Sequence, residues 1–343
     1  LYPLFLFVAA VVMGHIYGSY MTVGLGESSV NFTGVGETWQ WALLWNGIAI
    51  AIVFKPYYGR IELLFKAFLV MLSVSFIGNA LWVGPNPMGI LEGVFGFKLP
   101  PSSGPHDPYD SRLIVFGMIG AIGGSLMNLA YPYFLEGKGW KGPEYRRLQM
   151  YDFLLGIIVM IILNLAVWTL SAELLHPQDL KITELDDFPQ LLSQMTGEGG
   201  RLLFYLGVFA AIYSSLVGHA LGLGCLGSHG YLRWKSGSGS TIGDYRKHRC
   251  YRWIAVWCLV SPLVWVAPGM PGFVYLTLVA NCAQVVLVPI LAGGLWWITA
   301  NSKIIGSKYR NRWWENLVMA FLFSLAIWGA FNAIRSVRDA ILG

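Results

Sequence analysis

The sequence predicts an all-α protein that crosses a membrane many times, and three observations carry that prediction. Of its 343 residues, 56% are hydrophobic and only 12% are charged, against about 25% charged in soluble domains. The mean hydropathy is +0.57. Apolar runs long enough to cross the hydrocarbon of a bilayer recur along the chain, and the basic residues gather in alternate loops between them.

Nine spans are expected, over residues 1–24, 41–54, 61–83, 113–135, 153–175, 202–223, 251–267, 273–298 and 317–334. The second is short, but Trp39 and Tyr57 flank it as interfacial anchors. The first begins on Leu1, already apolar and without a basic leader or cleavage site, so a missing upstream segment is expected. Segments 84–112 and 176–201 read as surface loops, and Ser236–Ser240 (SGSGS) reads as a flexible linker. No loop is large enough for a separate soluble domain, so residues 1–343 are expected to form one transmembrane domain.

One set of alternate loops carries fifteen Lys and Arg, among them Lys138, Lys141, Arg246, Lys247 and Lys303. The opposite set carries four: Lys98, Arg112, Lys181 and Arg201. By the positive-inside rule the first set is cytoplasmic. The first residue is then inside, and Gly343 is outside if nine spans is right. Asn31-Phe32-Thr33 falls in an outer loop and fits a glycosylation sequon, which is weak evidence alone.

The fourth span is apolar enough to cross yet poorly suited to an unbroken helix. Gly117, Gly120, Gly123, Gly124, Ser125, Asn128 and Pro132 interrupt it. Each interior Gly costs roughly 1 kcal/mol relative to Ala, and an interior Pro about 3. A broken helix frees backbone groups that survive in a bilayer only when buried in protein or lining a wet cavity. Such spans mark transporter binding sites. The alternative is a glycine-rich helix in close packing.

Polar groups inside spans are expensive and often functional. Glu62, Lys66, Asp152 and Glu173 sit near span ends, where an interfacial role suffices. His15 and His219 lie deeper, as packing or functional groups. Asn281 and Gln284 in the eighth span, and Ser214 and Ser215 in the sixth, either bond neighbouring helices or converge on the broken span. In the second case a Gln carbonyl, a Ser hydroxyl and freed carbonyls make an oxygen-rich cation site. No carboxylate is expected at mid-membrane. Cys225, Cys250, Cys258 and Cys282 lack metal-ligand spacing. There is no HExxH or Walker A sequence, and GGSLM at 123–127 fails GxSxG, so no enzyme is expected. The net charge of +5 is spread over loops and does not point to nucleic acid.

At this point a family can be recognised. GAIGGSLMNLAYPYFLEGKGW (120–140) resembles the sixth helix of the NRAMP divalent-metal transporters and their NRAMP-related branch. Residues 281–314 resemble the tenth helix and the loop after it, and YSSLVGHALG (213–222) is similar to the eighth. The resemblance makes the visible spans the family's third to eleventh. It implies a LeuT-like inverted repeat, alternating access, and a metal ion between the unwound centres of the first and sixth helices. The first helix, with its Asp-Pro-Gly-Asn motif, would precede residue 1.

Carried over residue by residue, the family's Met-Pro-His falls on Ser125-Leu126-Met127. Its metal-facing carbonyl falls on Ile122, its second histidine of that helix on Pro132, and its glutamine on Gln284. The resemblance thus implies a site lined by Ser125, Ile122 and Gln284. Gly120, Gly123, Gly124, Met127, Asn128, Tyr131 and Asn281 would support it. In the third helix the acidic pair of proton-coupled members falls on Val12 and His15, and His15 and Ser19 would lie on the permeation route. A Ser hydroxyl in place of a thioether favours a harder ion, and loss of the acidic pair and the histidines removes the usual proton relay. The expectation is a carrier of Mn²⁺, Fe²⁺ or Mg²⁺ with weak or altered proton coupling. It would need no cofactor, and the metal would be substrate only. Its partners would be the bilayer and the ion, with a monomer in a bacterial inner membrane favoured. A LeuT-type organic-solute carrier and a non-transporting membrane scaffold are the rival expectations.

Overall fold

The computed structural model describes residues 2–54, 58–96, 111–175, 182–237 and 244–342. Among these the chain is helical, with no strand. The helices are α1 (Tyr2–Thr33), α2 (Thr38–Phe54), α3 (Tyr58–Val83), α4 (Pro87–Gly96), α5 (Ser111–Gly123), α6 (Tyr131–Gly137), α7 (Arg146–Leu174), α8 (Asp187–Ser236), α9 (Arg249–Val260), α10 (Phe273–Gln284), α11 (Val288–Ala300), α12 (Ser302–Ile305) and α13 (Trp313–Leu342). Short 3₁₀ turns separate several of them.

All nine expected segments are helical. Six runs are long and apolar enough to span, Tyr2–Thr33, Glu62–Val83, Pro143–Leu174, Thr196–Ser236, Phe273–Ala300 and Trp313–Arg335, and a seventh is added if the broken pair α5–α6 counts as one. The other two expected spans fall short. α2 has 17 residues, and α9 stops at Val260, where Ser261 and Pro262 open a 3₁₀ turn, Ser261–Val266. Outward faces remain apolar: Leu63 is 69%, Phe321 64% and Leu155 63% exposed. Such a surface suits lipid, where helices satisfy their own backbone groups.

The contacts divide the chain into two compact units. One comprises Leu1–Lys98 with Leu129–Val274, and the other Leu99–Asn128 with Tyr275–Gly343. In the first, α1 packs against α8, α2, α9 and the turn Ser261–Val266, and α3 packs against α8 and α7. Tyr17, Leu25, Leu216, Val217 and Leu259 fill its interior. Small residues allow this closeness. A Cβ on Gly18 would stand 2.7 Å from the Cys258 carbonyl oxygen, and one on Gly207 would stand 2.2 Å from Ser75 Oγ. Ser75 in turn donates to the Leu203 carbonyl at 2.6 Å. This is the small-residue packing of membrane helices, reinforced by buried hydroxyls. In the second unit Phe116, Cys282, Val285 and Ala333 form the core, with Val288 against it.

Three expected loops are corrected. α1 runs nine residues past Gly24, so Asn31-Phe32-Thr33 is its last turn rather than an outer loop. Segment 84–112 contains α4, and its residues 97–110 lie outside the described residues. Segment 176–201 is helical from Asp187 onward, with a kink at Gly197 (φ 69°) that only glycine adopts readily. Residues 55–57, 176–181 and 238–243 are also outside the described residues, and with them the expected anchor Tyr57 and most of the SGSGS linker.

The longer α1 brings Glu27 into the helix. Its Oε1 accepts the Phe273 N–H at 3.1 Å, at the first residue of α10. The four N-terminal amides of a helix lack internal partners, and a carboxylate there also meets the positive end of the helix dipole. Glu27→Ala should therefore lower stability by about 1–2 kcal/mol. Glu27→Gln keeps an acceptor and should recover much of the loss. Thermal unfolding of both variants in detergent checks this, and equal losses would contradict the cap.

Candidate functional site

The candidate site lies in the second unit, where the fourth expected span breaks. α5 ends at Gly123, the Gly124 N–H still reaches the Gly120 carbonyl at 2.9 Å, and the helix then stops. A 3₁₀ turn follows over Leu126–Leu129. Ser125 caps it: its Oγ accepts the Met127 N–H at 3.3 Å and its carbonyl accepts the Asn128 N–H at 3.1 Å. A serine before a helical turn satisfies an amide that would otherwise lack a partner. Asn128 closes the gap from the other side, donating from Nδ2 to the Ile122 carbonyl at 3.0 Å. Ile122, Ser125 and Asn128 are thus held together by hydrogen bonds. Ser125 Oγ and the Ile122 carbonyl each keep lone-pair capacity, since each oxygen can accept twice.

Gly120 and Gly124 serve a second purpose. A Cβ on Gly120 would lie 1.9 Å from the Asn281 carbonyl oxygen, and one on Gly124 would lie 2.1 Å from that of Gln284. Two carbonyls from the end of α10 therefore rest against bare Cα atoms. Gly117 and Gly123 are less constrained, with nearest neighbours at 3.7 and 3.6 Å. Broken helix and close glycine packing were alternatives in the sequence, and in the structure both hold, at different residues.

α10 ends in the same manner. After Gln284 comes the 3₁₀ turn Val285–Leu287, and α11 starts with Pro289 in its first turn, where a missing N–H costs nothing. Gln284 is 2% exposed, and its Nε2 donates to Asn281 Oδ1 at 2.7 Å. Asn281 thereby fixes the amide so that the Gln284 carbonyl end is the acceptor. That end makes no hydrogen bond among the described residues. The close contact at Gly120 and Gly124 sets the backbone at the end of α10 beside the break. The oxygens at both places are neutral. Among the described residues no group of three His, Cys, Asp or Glu could hold a metal ion.

The other sequence candidates belong to the first unit and are differently engaged. Tyr131 opens α6 and donates to Asp152 Oδ2 at 3.0 Å, while Lys138 Nζ pairs with Asp152 Oδ1 at 2.7 Å. Ser19 is buried and donates to the Ile16 carbonyl of its own helix at 2.7 Å. His15 receives the Trp265 Nε1–H on Nε2 at 3.0 Å, and its Nδ1 lies 3.1 Å from Ser261 Oγ. Indole nitrogen only donates, so Nε2 is unprotonated and Nδ1 carries the proton toward Ser261. Ser261 Oγ donates in turn to the Trp257 carbonyl at 2.7 Å. His219 donates from Nδ1 to the Ser215 carbonyl at 2.7 Å and packs edge-on to Tyr17.

Sequence reasoning missed a polar network in that first unit. Tyr245 donates to Glu136 Oε2 at 2.5 Å, Lys141 pairs with Glu136 Oε1 at 2.8 Å, and the Tyr133 hydroxyl meets His229 Nδ1 at 2.7 Å. Burial, together with the Glu136 bond, pushes the Tyr245 phenol above its usual range, so it remains the donor. Aromatic residues beside loop charges were the available signal.

The family comparison now bears on the geometry. The family profile described as Natural resistance-associated macrophage protein-like (Nramp) matches residues 3–335. The chain belongs to the Nramp family. Membership makes it an integral, polytopic membrane protein and a divalent-metal transporter, with divalent metal as its substrate. No curated protein matches the chain.

Within this Nramp chain, the glycine contacts give a sharp contrast. Gly120→Ala and Gly124→Ala should each cost about 1–3 kcal/mol through overpacking against backbone oxygens. Gly123→Ala, which meets only ordinary contacts, should be neutral or slightly stabilising. Detergent thermal unfolding ranks the three variants. Equal melting temperatures would show that α5 and α10 do not approach this closely.

Proposed function

We propose that this chain carries a hard divalent cation by alternating access, with weak or no coupling to protons. Ser125, the Ile122 carbonyl and Gln284 are the ion-facing oxygens. Gly120, Gly123, Gly124, Met127, Asn128 and Asn281 hold the break open and in register. The observation that supports this reading is the capped break at Ser125, beside which the backbone at Gln284 packs against Gly124. Unwound backbone carbonyls beside half-helix ends coordinate cations in transporters.

The neutral oxygen set supports a hard ion. Hydroxyl and carbonyl oxygens suit Mg²⁺ and Mn²⁺, whereas soft thioether sulfur selects later transition metals. Mg²⁺ keeps several waters when bound, which fits a site with few protein donors. The proton argument rests on the same residues. Ser125 and Met127 are not titratable as a relay, and His15 is committed on both nitrogens. Nine spans in a LeuT-like inverted repeat, the basic loops facing the cytoplasm, a monomeric state and a bacterial inner membrane complete the proposal. No cofactor is part of it. Tyr131, Ser19 and His15 then have positioning roles through their own helix contacts.

Calorimetry on the full-length purified protein tests the site, with Mn²⁺ and Mg²⁺ titrated in turn beside Ser125→Met and Ser125→Ala. Comparable binding of the two ions, tilted toward Mn²⁺ by Ser125→Met, is expected. The Ala variant controls for losing the cap, worth about 1 kcal/mol. Much tighter Mn²⁺ binding in the unaltered protein would remove the hard-ion assignment. Binding of neither ion, with competition by an amino acid instead, would favour an organic-solute carrier.

Proton coupling has its own measurement. Metal uptake into sealed vesicles holding a pH-sensitive dye should proceed without stoichiometric acidification. One proton entering per ion would overturn this part of the proposal while leaving the site intact.

A further inference from the structure

α4 (Pro87–Gly96) has ten residues and not one of them is buried. It follows the spanning run Glu62–Val83 after only Gly84, Pro85 and Asn86. Gly84, at φ 81°, lets the chain change direction there. Asn86 then opens the helix. Its Oδ1 accepts the Met88 and Gly89 N–H groups at 3.1 and 3.3 Å, and Pro87 takes the first helical position, where no N–H is needed. The Asn86 N–H donates in turn to Glu173 Oε1 at 3.0 Å. Glu173 stands one residue before the end of α7, which belongs to the spanning run Pro143–Leu174. The start of α4 is thus tied to the ends of two spanning helices, at the boundary between hydrocarbon and water.

The sequence of α4 is two-sided. At 3.6 residues per turn, Met88, Ile90, Leu91, Val94 and Phe95 gather on a little under half of its circumference. Gly89, Gly93 and Gly96 share the opposite side, and Glu92, the single ionisable group of the helix, stands at the border beside Met88. Met88, Leu91 and Phe95 are 66%, 53% and 69% exposed. A Cβ on Gly93 or Gly96 would meet nothing within 4 Å, so the glycine side carries no packing either. A helix this short, with three glycines and no buried side chain, is not stable alone in water. The zone between headgroups and acyl chains supplies what it lacks, a medium that buries one face and wets the other. The adjoining surface is already of that kind. On α3, Leu63, Val70, Val74 and Leu81 are exposed at spacings of seven, four and seven residues, which lie along one face, and exposed Trp82 follows as an interfacial anchor.

We propose that α4 is an interfacial helix, lying in the leaflet where α3 ends, with Met88, Leu91 and Phe95 among the upper acyl chains and Gly93 toward water. Its partner is the lipid surface. With one acidic group and no basic one, α4 holds to that surface by apolar burial and not by charge. This role is independent of the break at Ser125 and of the ion carried.

Nitroxide labelling of the full chain in phosphatidylcholine nanodiscs tests it. Leu91→Cys, Gly93→Cys and Phe95→Cys are made in a Cys250→Ser background, since Cys225, Cys258 and Cys282 are buried. All three labelled positions are exposed, so the variants should fold. Collisions with oxygen, which concentrates among acyl chains, are compared with collisions with a water-soluble nickel chelate. The oxygen-to-nickel ratio should be several-fold higher for Leu91→Cys and Phe95→Cys than for Gly93→Cys. Equal ratios favouring nickel at all three positions would place α4 in water and overturn the proposal. Poor access of both reagents to Leu91→Cys and Phe95→Cys would show a face covered by protein, from this chain or a second copy, and would overturn it as well.

Discussion

Backbone hydrogen bonding in a medium without water governs this structure. In hydrocarbon each unpaired amide or carbonyl costs several kcal/mol, so every departure from the α-helix needs a local partner. The break at 124–125 meets that demand in three moves: Gly124 back to Gly120, Ser125 onto Met127, and Asn128 onto Ile122. The other breaks use different devices. Pro262 and Pro289 sit where a helix start leaves an amide unneeded, and Gly197 takes up a backbone angle closed to other residues. The interruption at 124–125 is therefore narrow. It exposes a few oxygens and conceals everything else.

That economy shapes the chemistry of the candidate site. Oxygens that accept one hydrogen bond and keep a second lone pair are weaker donors than a carboxylate. The glycine contact matters because it sets the distance between the break and the end of α10 through backbone alone. No side-chain rotamer intervenes between α5 and the end of α10. Precision in the site is then a property of two missing Cβ atoms.

Much of the fold was legible because lipid simplifies the code. Apolar length placed helix in all nine expected segments, of which six, or seven with the broken pair, are long and apolar enough to span, and the Gly, Ser, Asn and Pro residues from 117 to 132 marked the span that breaks. The end of α1 was not legible. Residues 25–33 contain no proline, and their polar side chains, which suggested a loop, instead bond inward, as Ser29 does to the Leu25 carbonyl. Segment 187–196 misled in the same way, since Asp186 and Asp187 read as loop acids although they stand at a helix start. At the site, the Asn281–Gln284 pair was visible as a spacing of three on one helix. The role of Ser125 as a cap and the contact of Gly120 with Asn281 were not, because both depend on where the helix stops and what lies beside it. His15 and Trp265 are 250 residues apart in sequence, and no local pattern joins them.

The His15 arrangement has a consequence for how the first unit is held together. One ring nitrogen accepts from a group that can only donate, and the other donates to a serine hydroxyl that itself donates onward. The ring thereby joins α1 to residues 246 and 250 positions further along the chain, where Gly18 also lets Pro262 come close. The imidazole thus fastens α1 to the turn Ser261–Val266 through both of its ring nitrogens.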